Sequence, residues 1–152
     1  MGGMAFPETA MKTLKQLLAA KGNQVYSIGP NAKVIEALQM MAQKDIGALV
    51  VLEGGRLIGI LSERDYARKV ILHGKSSEDV SVSDIMTAEV VRIGPEKTVE
   101  ECMALVTQRR IRHLPVCEGD KLIGLVSIGD LVKEVIADQE QTIKQLESYI
   151  HS

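Results

Sequence analysis

Apolar and polar positions along the chain follow an order that occurs twice. Residues 25–28 and 90–93 are short apolar segments stopped by Gly-Pro, and they read as strands. In 32–44, Val34, Ile35, Leu38, Met41 and Ala42 recur at helical spacing, as do Val99, Met103, Leu105 and Val106 in 97–109. Two apolar runs split by a tight turn come next. The first copy has 46–52, Gly54-Gly55 and 56–61; the second has 111–117, Gly119-Asp120 and 121–126. Gly-Gly and Gly-Asp accept positive φ, so each turn predicts a hairpin. A helix follows each hairpin, from Ser62 to about Leu72 and from Ser127 onward, with His73-Gly74 closing the first. Ahead of the first copy, Pro7 and Glu8 suit a helix first turn, and Leu14, Leu17 and Leu18 give an apolar stripe ending at Gly22. Behind the second, Val132, Ile136, Gln139, Ile143, Leu146 and Ile150 step by 4, 3, 4, 3, 4, the seam of a coiled coil.

An offset of 65 lays residues 25–70 on 90–135 without a gap, and 18 of the 46 pairs are identical. Chance would give roughly three, so the two halves are copies of one supersecondary unit. Each copy reads β-α-β-β-α, and one copy alone leaves a sheet face bare. The expected fold is therefore α/β (α+β), with the two repeats packed sheet to sheet about a pseudo-twofold axis and a long C-terminal helix. The expected division is an N-terminal arm and helix at 1–22, repeat one at 23–74 and a linker with its lead-in at 75–86. Repeat two follows at 87–137 and a helical extension at 138–152. The extension has no counterpart in the first copy, which points to contact with another subunit.

Composition narrows the function classes. A net charge of −2 and three Tyr, one Phe and no Trp supply neither the basic face nor the stacking platform of a nucleic-acid binder. No apolar run reaches membrane-spanning length. Cys102 and Cys117 have no metal or redox spacing, and their sister positions are Ala37 and Leu52, so both read as buried thiols, consistent with a cytoplasmic location. His113 and Cys117 lie on one strand face, but two ligands without a third make no metal site.

The pattern Arg-His-Leu-Pro-Val at 112–116, the Leu-Ile-Gly steps at 57–59 and 122–124, the paired Ser-x-x-Asp motifs and the segment 83–87 together resemble the cystathionine β-synthase (CBS) domain. A tandem pair is called a Bateman module, and the resemblance covers essentially residues 12–137. It implies a stand-alone regulatory sensor that binds an adenosine compound in clefts between the repeats. AMP is the first choice, with ADP, ATP, S-adenosylmethionine and NAD(H) as further candidates. It also implies a homodimer and a regulated protein partner yet to be identified.

Ser62/Asp65 and Ser127/Asp130 are internal replicates. A carboxylate can accept hydrogen bonds from both ribose hydroxyls, and a serine at a helix start sits among free backbone N–H groups. Ser-x-x-Asp is equally close to a capping box, so a purely structural role competes. The resemblance assigns these four residues to ribose and crosses the copies. Site one would combine Ile60, Ser62 and Asp65 with Val99, Ile111, Arg112, His113 and Pro115. Site two would combine Leu125, Ser127 and Asp130 with Gly29, Val34, Ile46, Gly47, Ala48 and Val50. Arg112 and His113 match positions that hold phosphate-contacting basic residues in the gamma subunits of AMP-activated kinases, and Arg64 adjoins them. Site two has Gly47, Ala48 and Gly129 where those cations would be, which makes it a weaker phosphate site, an empty one, or one suited to a differently placed phosphate such as that of the dinucleotide NAD(H). No nucleophile elbow, phosphate loop or paired acid and base marks an enzyme. The competing reading is a constitutive dimerisation or adaptor module without a physiological ligand.

Overall fold

The computed structural model describes residues 12–22 and 24–151; Pro7 and Glu8 lie outside the described residues. Helix α1 spans Leu14–Lys21, with Thr13 as its N-cap in a reciprocal capping box with Gln16. It ends at Gly22, whose φ of 101° few other residues adopt. Repeat one then comprises β1 (Ser27–Ile28), α2 (Val34–Lys44), β2 (Ala48–Glu53), β3 (Arg56–Ser62) and α3 (Glu63–Tyr66), which widens into a π turn over Ala67–Ile71. After the one-turn helix α4 (Val82–Ile85), repeat two supplies α5 (Val99–Arg109), β4 (His113–Glu118), β5 (Lys121–Ser127) and α6 (Ile128–His151).

The two copies agree in detail. β1 runs parallel to β2, and β2 pairs antiparallel with β3. β4 and β5 form the matching hairpin, and the bulge between Val51 and Leu52 recurs between Val116 and Cys117. Gly54 and Gly55 both take positive φ, as the Gly-Gly turn predicts. The expected strand at 90–93 shrinks to one parallel bridge, Ile93 to Val116, so the second sheet keeps only two full strands. Asp45 and Arg110 end α2 and α5 in the left-handed conformation at matching positions.

One duplicated element escapes the offset of 65. An offset of 68 lays Thr13, Leu14, Leu17 and Leu18 on Ser81, Val82, Ile85 and Met86. The structure gives both segments the same job, each on the opposite repeat. Leu14 N donates to Lys97 O (2.9 Å) and Lys15 N to Pro95 O (2.9 Å); Val82 N donates to Ala32 O (2.8 Å) and Ser83 N to Pro30 O (2.9 Å). Accordingly Leu14, Leu17 and Leu18 enter the core of repeat two with Val99, Val106, Leu114 and Leu131. Val82 and Ile85 enter the core of repeat one with Val34, Leu49, Leu61 and Val70. A third cluster of Val50, Leu57 and Cys117, joined by Val25, Leu52, Val90, Leu122 and Leu125, lies between the two sheets. Cys102 and Cys117 are buried, and burial pushes the Cys102 thiol up to about 11.

An eight-residue helix has little stability of its own, so burial of its leucines holds α1 in place. The approach is close. A Cβ on Gly124 would meet Leu18 Cδ1 at 2.7 Å, and one on Gly59 would meet Met86 Sδ at 2.6 Å and the Thr87 carbonyl at 3.0 Å. Gly59→Ala and Gly124→Ala are each expected to destabilise by about 1–3 kcal/mol through overpacking. Thermal denaturation checks this, with Leu18→Ala recovering part of the loss in Gly124→Ala and none in Gly59→Ala.

Candidate functional site

Where β3 passes into α3, Ser62 caps the helix and Asp65 reaches back to it. Asp65 Oδ2 accepts from Ser62 N (2.9 Å) and Oγ (3.0 Å), while Asp65 N donates to Ser62 Oγ (3.1 Å). Ser127 and Asp130 repeat the box at the start of α6, at 2.8 and 3.1 Å. Both Ser-x-x-Asp motifs therefore begin helices. Asp65 keeps a second oxygen for other partners, with Thr87 Oγ1 at 3.5 Å and Lys69 Nζ at 3.4 Å from Oδ1. The replicated Glu36 and Glu101 also reach back to helix N-termini, at Lys33 N and Thr98 N.

A cavity of about 640 Å³ opens between the repeats beside this corner. Ile60, Ser62, Arg64 and Asp65 line it from repeat one, and Ile111, Arg112 and His113 from repeat two. The crossed arrangement expected for site one is thus present. Val99 and Pro115 are buried residues of repeat two and are not among its lining residues. Arg68, Arg110, Thr87, Glu89 and Val91 line it without having been anticipated. Arg68 and Arg110 carried only the general signal of a basic helix face. Thr87, Glu89 and Val91 follow α4, whose kinship with α1 the main repeat offset hides.

Four guanidinium groups and three carboxylates, those of Glu63, Asp65 and Glu89, line the cavity. Arg64, Arg68, Arg110 and Arg112 all line it, and among the described residues none has a carboxylate within ion-pair distance. Repulsion from Arg68, then some loss of hydration and repulsion from Arg112, lower the Arg64 pKa from its ordinary value. Guanidinium groups crowded in this way suit a phosphate, whose oxygens accept several charge-assisted hydrogen bonds at once. His113 differs. Burial pulls its pKa below 6.5 against the opposing pull of Asp130, so the imidazole is neutral at pH 7 and the arginines carry the positive charge.

The residues expected at site two do not come together in the same way. Val34 and Val50 are fully buried, Ala48 is buried, and Gly29 is exposed. Ile46 and Gly47 line a hollow of about 370 Å³ with Leu38, Met41 and Glu63, and Gly47 also borders the large cavity. Asp130 is engaged by the chain itself: Lys21 Nζ lies 2.5 Å from Asp130 Oδ2 and 2.7 Å from the Leu125 carbonyl. Burial would raise the Asp130 pKa, but bonds from Lys21 and Ser127 outweigh it and leave the carboxyl below its ordinary value.

Two copies of one α+β unit, mutually roofed and enclosing a charged cleft, define a tandem-repeat fold. Residues 21–71 and 82–137 both match the CBS domain, and the chain belongs to the CBS-domain family. It is 43% identical over 122 residues to a mitochondrial CBS-domain-containing protein of Arabidopsis thaliana. That alignment takes in 77% of this chain but 59% of the relative, so the chain spans well under two thirds of that protein's length. Its structure resembles that of a protein with CBS domains from Burkholderia ambifaria MC40-6, ascribed to signal transduction. The TM-score is 0.81 at 52% identity, over 84% of this chain and 96% of the other. A CBS-CP12 protein from bloom-forming cyanobacteria, described as hexameric, shares the fold with a TM-score of 0.73 at 29% identity, over 80% of this chain and 67% of that one. No helix among the described residues is long and apolar enough to cross a membrane.

The state of His113 has a measurable consequence. Its folded pKa lies below 6.5, so between the two values the unfolded chain binds the proton more tightly and stability falls with falling pH. An NMR titration is expected to place the His113 midpoint below 6.5, and His113→Gln should flatten the slope of stability against pH just below that value.

Proposed function

We propose that the chain is a non-catalytic regulatory module that binds an adenosine nucleotide, AMP foremost, in the cavity between its repeats. One observation carries this reading: the Asp65 carboxylate and the cluster of Arg64, Arg68 and Arg112 border a single cavity of about 640 Å³ built from both repeats. Small-molecule sites occupy roughly 300–1,000 Å³, so the space suits a mononucleotide. Asp65 Oδ1 accepts ribose hydroxyls, Ile60, Val91 and Ile111 offer apolar contact to the base, and the arginines take the α-phosphate. Because both repeats form the walls, the nucleotide favours whichever arrangement closes on it, by as much as its affinities for the two arrangements differ.

Calorimetry tests this with AMP, ADP, ATP, S-adenosylmethionine and NADH. AMP is expected to bind at one site per chain. Arg112→Ala should weaken it about 10–100-fold, since each charge-assisted hydrogen bond contributes roughly 1.5–3 kcal/mol. Heat uptake with none of the five overturns the reading.

A second reading is favoured by a separate observation. Val132, Ile136, Ile143, Leu146 and Ile150 of α6 are all exposed, Ile150 by 77%, and they fall on the heptad seam. On this reading α6 joins two copies of the chain, whether or not a nucleotide binds. Sedimentation analysis is expected to show a dimer that Ile136→Asp with Ile143→Asp converts to monomer; a monomeric wild type removes this reading.

A further inference from the structure

The two aspartate corners are related by duplication, yet Asp65 lines the large cavity while Asp130 is held by a lysine of the chain itself. The difference starts in the paired roof helices. The offset of 68 that matches α4 to α1 also sets Lys21 opposite Glu89. α4 stops after one turn at Met86, whose ψ of 153° turns the chain extended, and Thr87 then bridges Ile60 along the wall of the open cavity. α1 instead stays helical through Ala19 and Ala20 to Lys21. Leu14, Leu17 and Leu18 are 0–5% exposed and anchor it on repeat two. Its last side chain is thereby delivered to the second aspartate.

We propose that Lys21 is a built-in occupant of the second cleft, standing where a ribose would bind and closing that cleft to nucleosides. This rests on the reading of Asp65 as the ribose acceptor of the first cavity. The Lys21 ammonium donates to Asp130 Oδ2 at 2.5 Å and to the Leu125 carbonyl at 2.7 Å. The sister groups in the first cavity are bound otherwise. The Ile60 carbonyl accepts from Thr87 N at 2.8 Å. Lys69, from the next turn of the same helix, lies 3.4 Å from Asp65 Oδ1. A sugar diol offers a carboxylate two neutral donors; the ammonium offers donors and a full charge, and no translational freedom is lost when it binds. Lys69 makes its short bond to the Ile85 carbonyl, at 2.9 Å, and sits farther from Asp65, whereas Lys21 directs both of its short bonds at the Asp130 corner and competes there with a neutral sugar.

The same comparison sets the ligand class of an opened second cleft. Gly47 and Ala48 stand where Arg112 and His113 stand in the other copy, so without Lys21 the cleft has no cation on that strand for a phosphate. It would accept an uncharged nucleoside such as adenosine in preference to AMP.

Lys21 lies at the exposed end of α1, so Lys21→Ala is expected to keep the fold, which a thermal melt verifies. Wild type and Lys21→Ala are saturated with AMP and titrated with adenosine by calorimetry. Lys21→Ala should take up one further equivalent per chain, wild type none, and Lys21→Ala/Asp130→Asn none. Lys21→Ser is read in the same way if the alanine variant melts early. No gain in either lysine variant overturns the closure, even where wild type binds AMP normally. A wild type that ignores AMP while Lys21→Ala gains an adenosine overturns the reading of the first cavity and leaves the closure standing.

Discussion

The constraint on which this molecule depends is the crossed roofing of its two halves. Neither repeat completes its own core: α1 precedes the first repeat but fills the second, while α4 precedes the second repeat but fills the first. The exchange is fixed by three kinds of contact that recur in both halves. These are the backbone bonds from each roof helix to the opposite repeat, the buried Leu or Val, and the near-contact with Gly59 or Gly124. Apolar burial supplies the driving force, at roughly 1.5–3 kcal/mol for each fully buried leucine, and the glycines set how closely the roof can sit. The cleft between the repeats is a by-product of this packing, because the sheets meet over the small cluster around Val50, Leu57 and Cys117 and the cavity opens beside it.

Duplication makes the two clefts equivalent in backbone, and single residues then make them unequal in chemistry. The Ser-x-x-Asp corner and the bridge from helix N-terminus to strand edge are the same in both copies. Glu63 N donates to the Gly47 carbonyl at 3.0 Å, and Ile128 N to the Arg112 carbonyl at 2.9 Å. Yet the strand edge carries glycine in one and arginine in the other. The roof segment ends in an extended wall on one side and in Lys21 on the other. The open cleft therefore gathers guanidinium groups that no carboxylate among the described residues pairs, while the second satisfies its aspartate internally.

Most of the fold was legible because a duplicated chain tests each reading twice. Hairpins, helices and the aspartate corners recur at one offset, so the Gly54-Gly55 and Gly119-Asp120 turns support each other from the residue pattern alone. The roof helices were hidden for a physical reason. The segment from the start of α1 to the strand that follows is longer than its counterpart from the start of α4, which shifts the register from 65 to 68, and α4 is too short to show a period. Losing that kinship meant losing Thr87 and Glu89 as cavity walls and Lys21 as the partner of Asp130. The crossed grouping of Asp65 with Arg112 and His113 came from family resemblance; no spacing within one repeat encodes it. The neutral state of His113 depends on burial, which periodicity cannot measure.

These features bear on how a ligand could act at a distance. Arg112 lies at the edge of the cavity, and its carbonyl accepts from the first residue of α6, the helix that carries the exposed apolar seam. If a phosphate draws Arg112 toward Arg64, the arginine's backbone is tied to the N-terminus of that helix by a hydrogen bond at the open end of the β4–β5 hairpin, and the close-packed core behind it moves in discrete steps rather than by smooth bending. The sister bond, from Glu63 to Gly47, ends in α3, where the π turn over Ala67–Ile71 interrupts the regular helix. A displacement on that side meets a short helix with a locally irregular ladder, while one on the Arg112 side meets an unbroken helix running to His151. The asymmetry of charge and the asymmetry of helix length thus fall on the same repeat. On the proposed function, the half that supplies Arg112 to the phosphate is also the half built to carry the response to another surface.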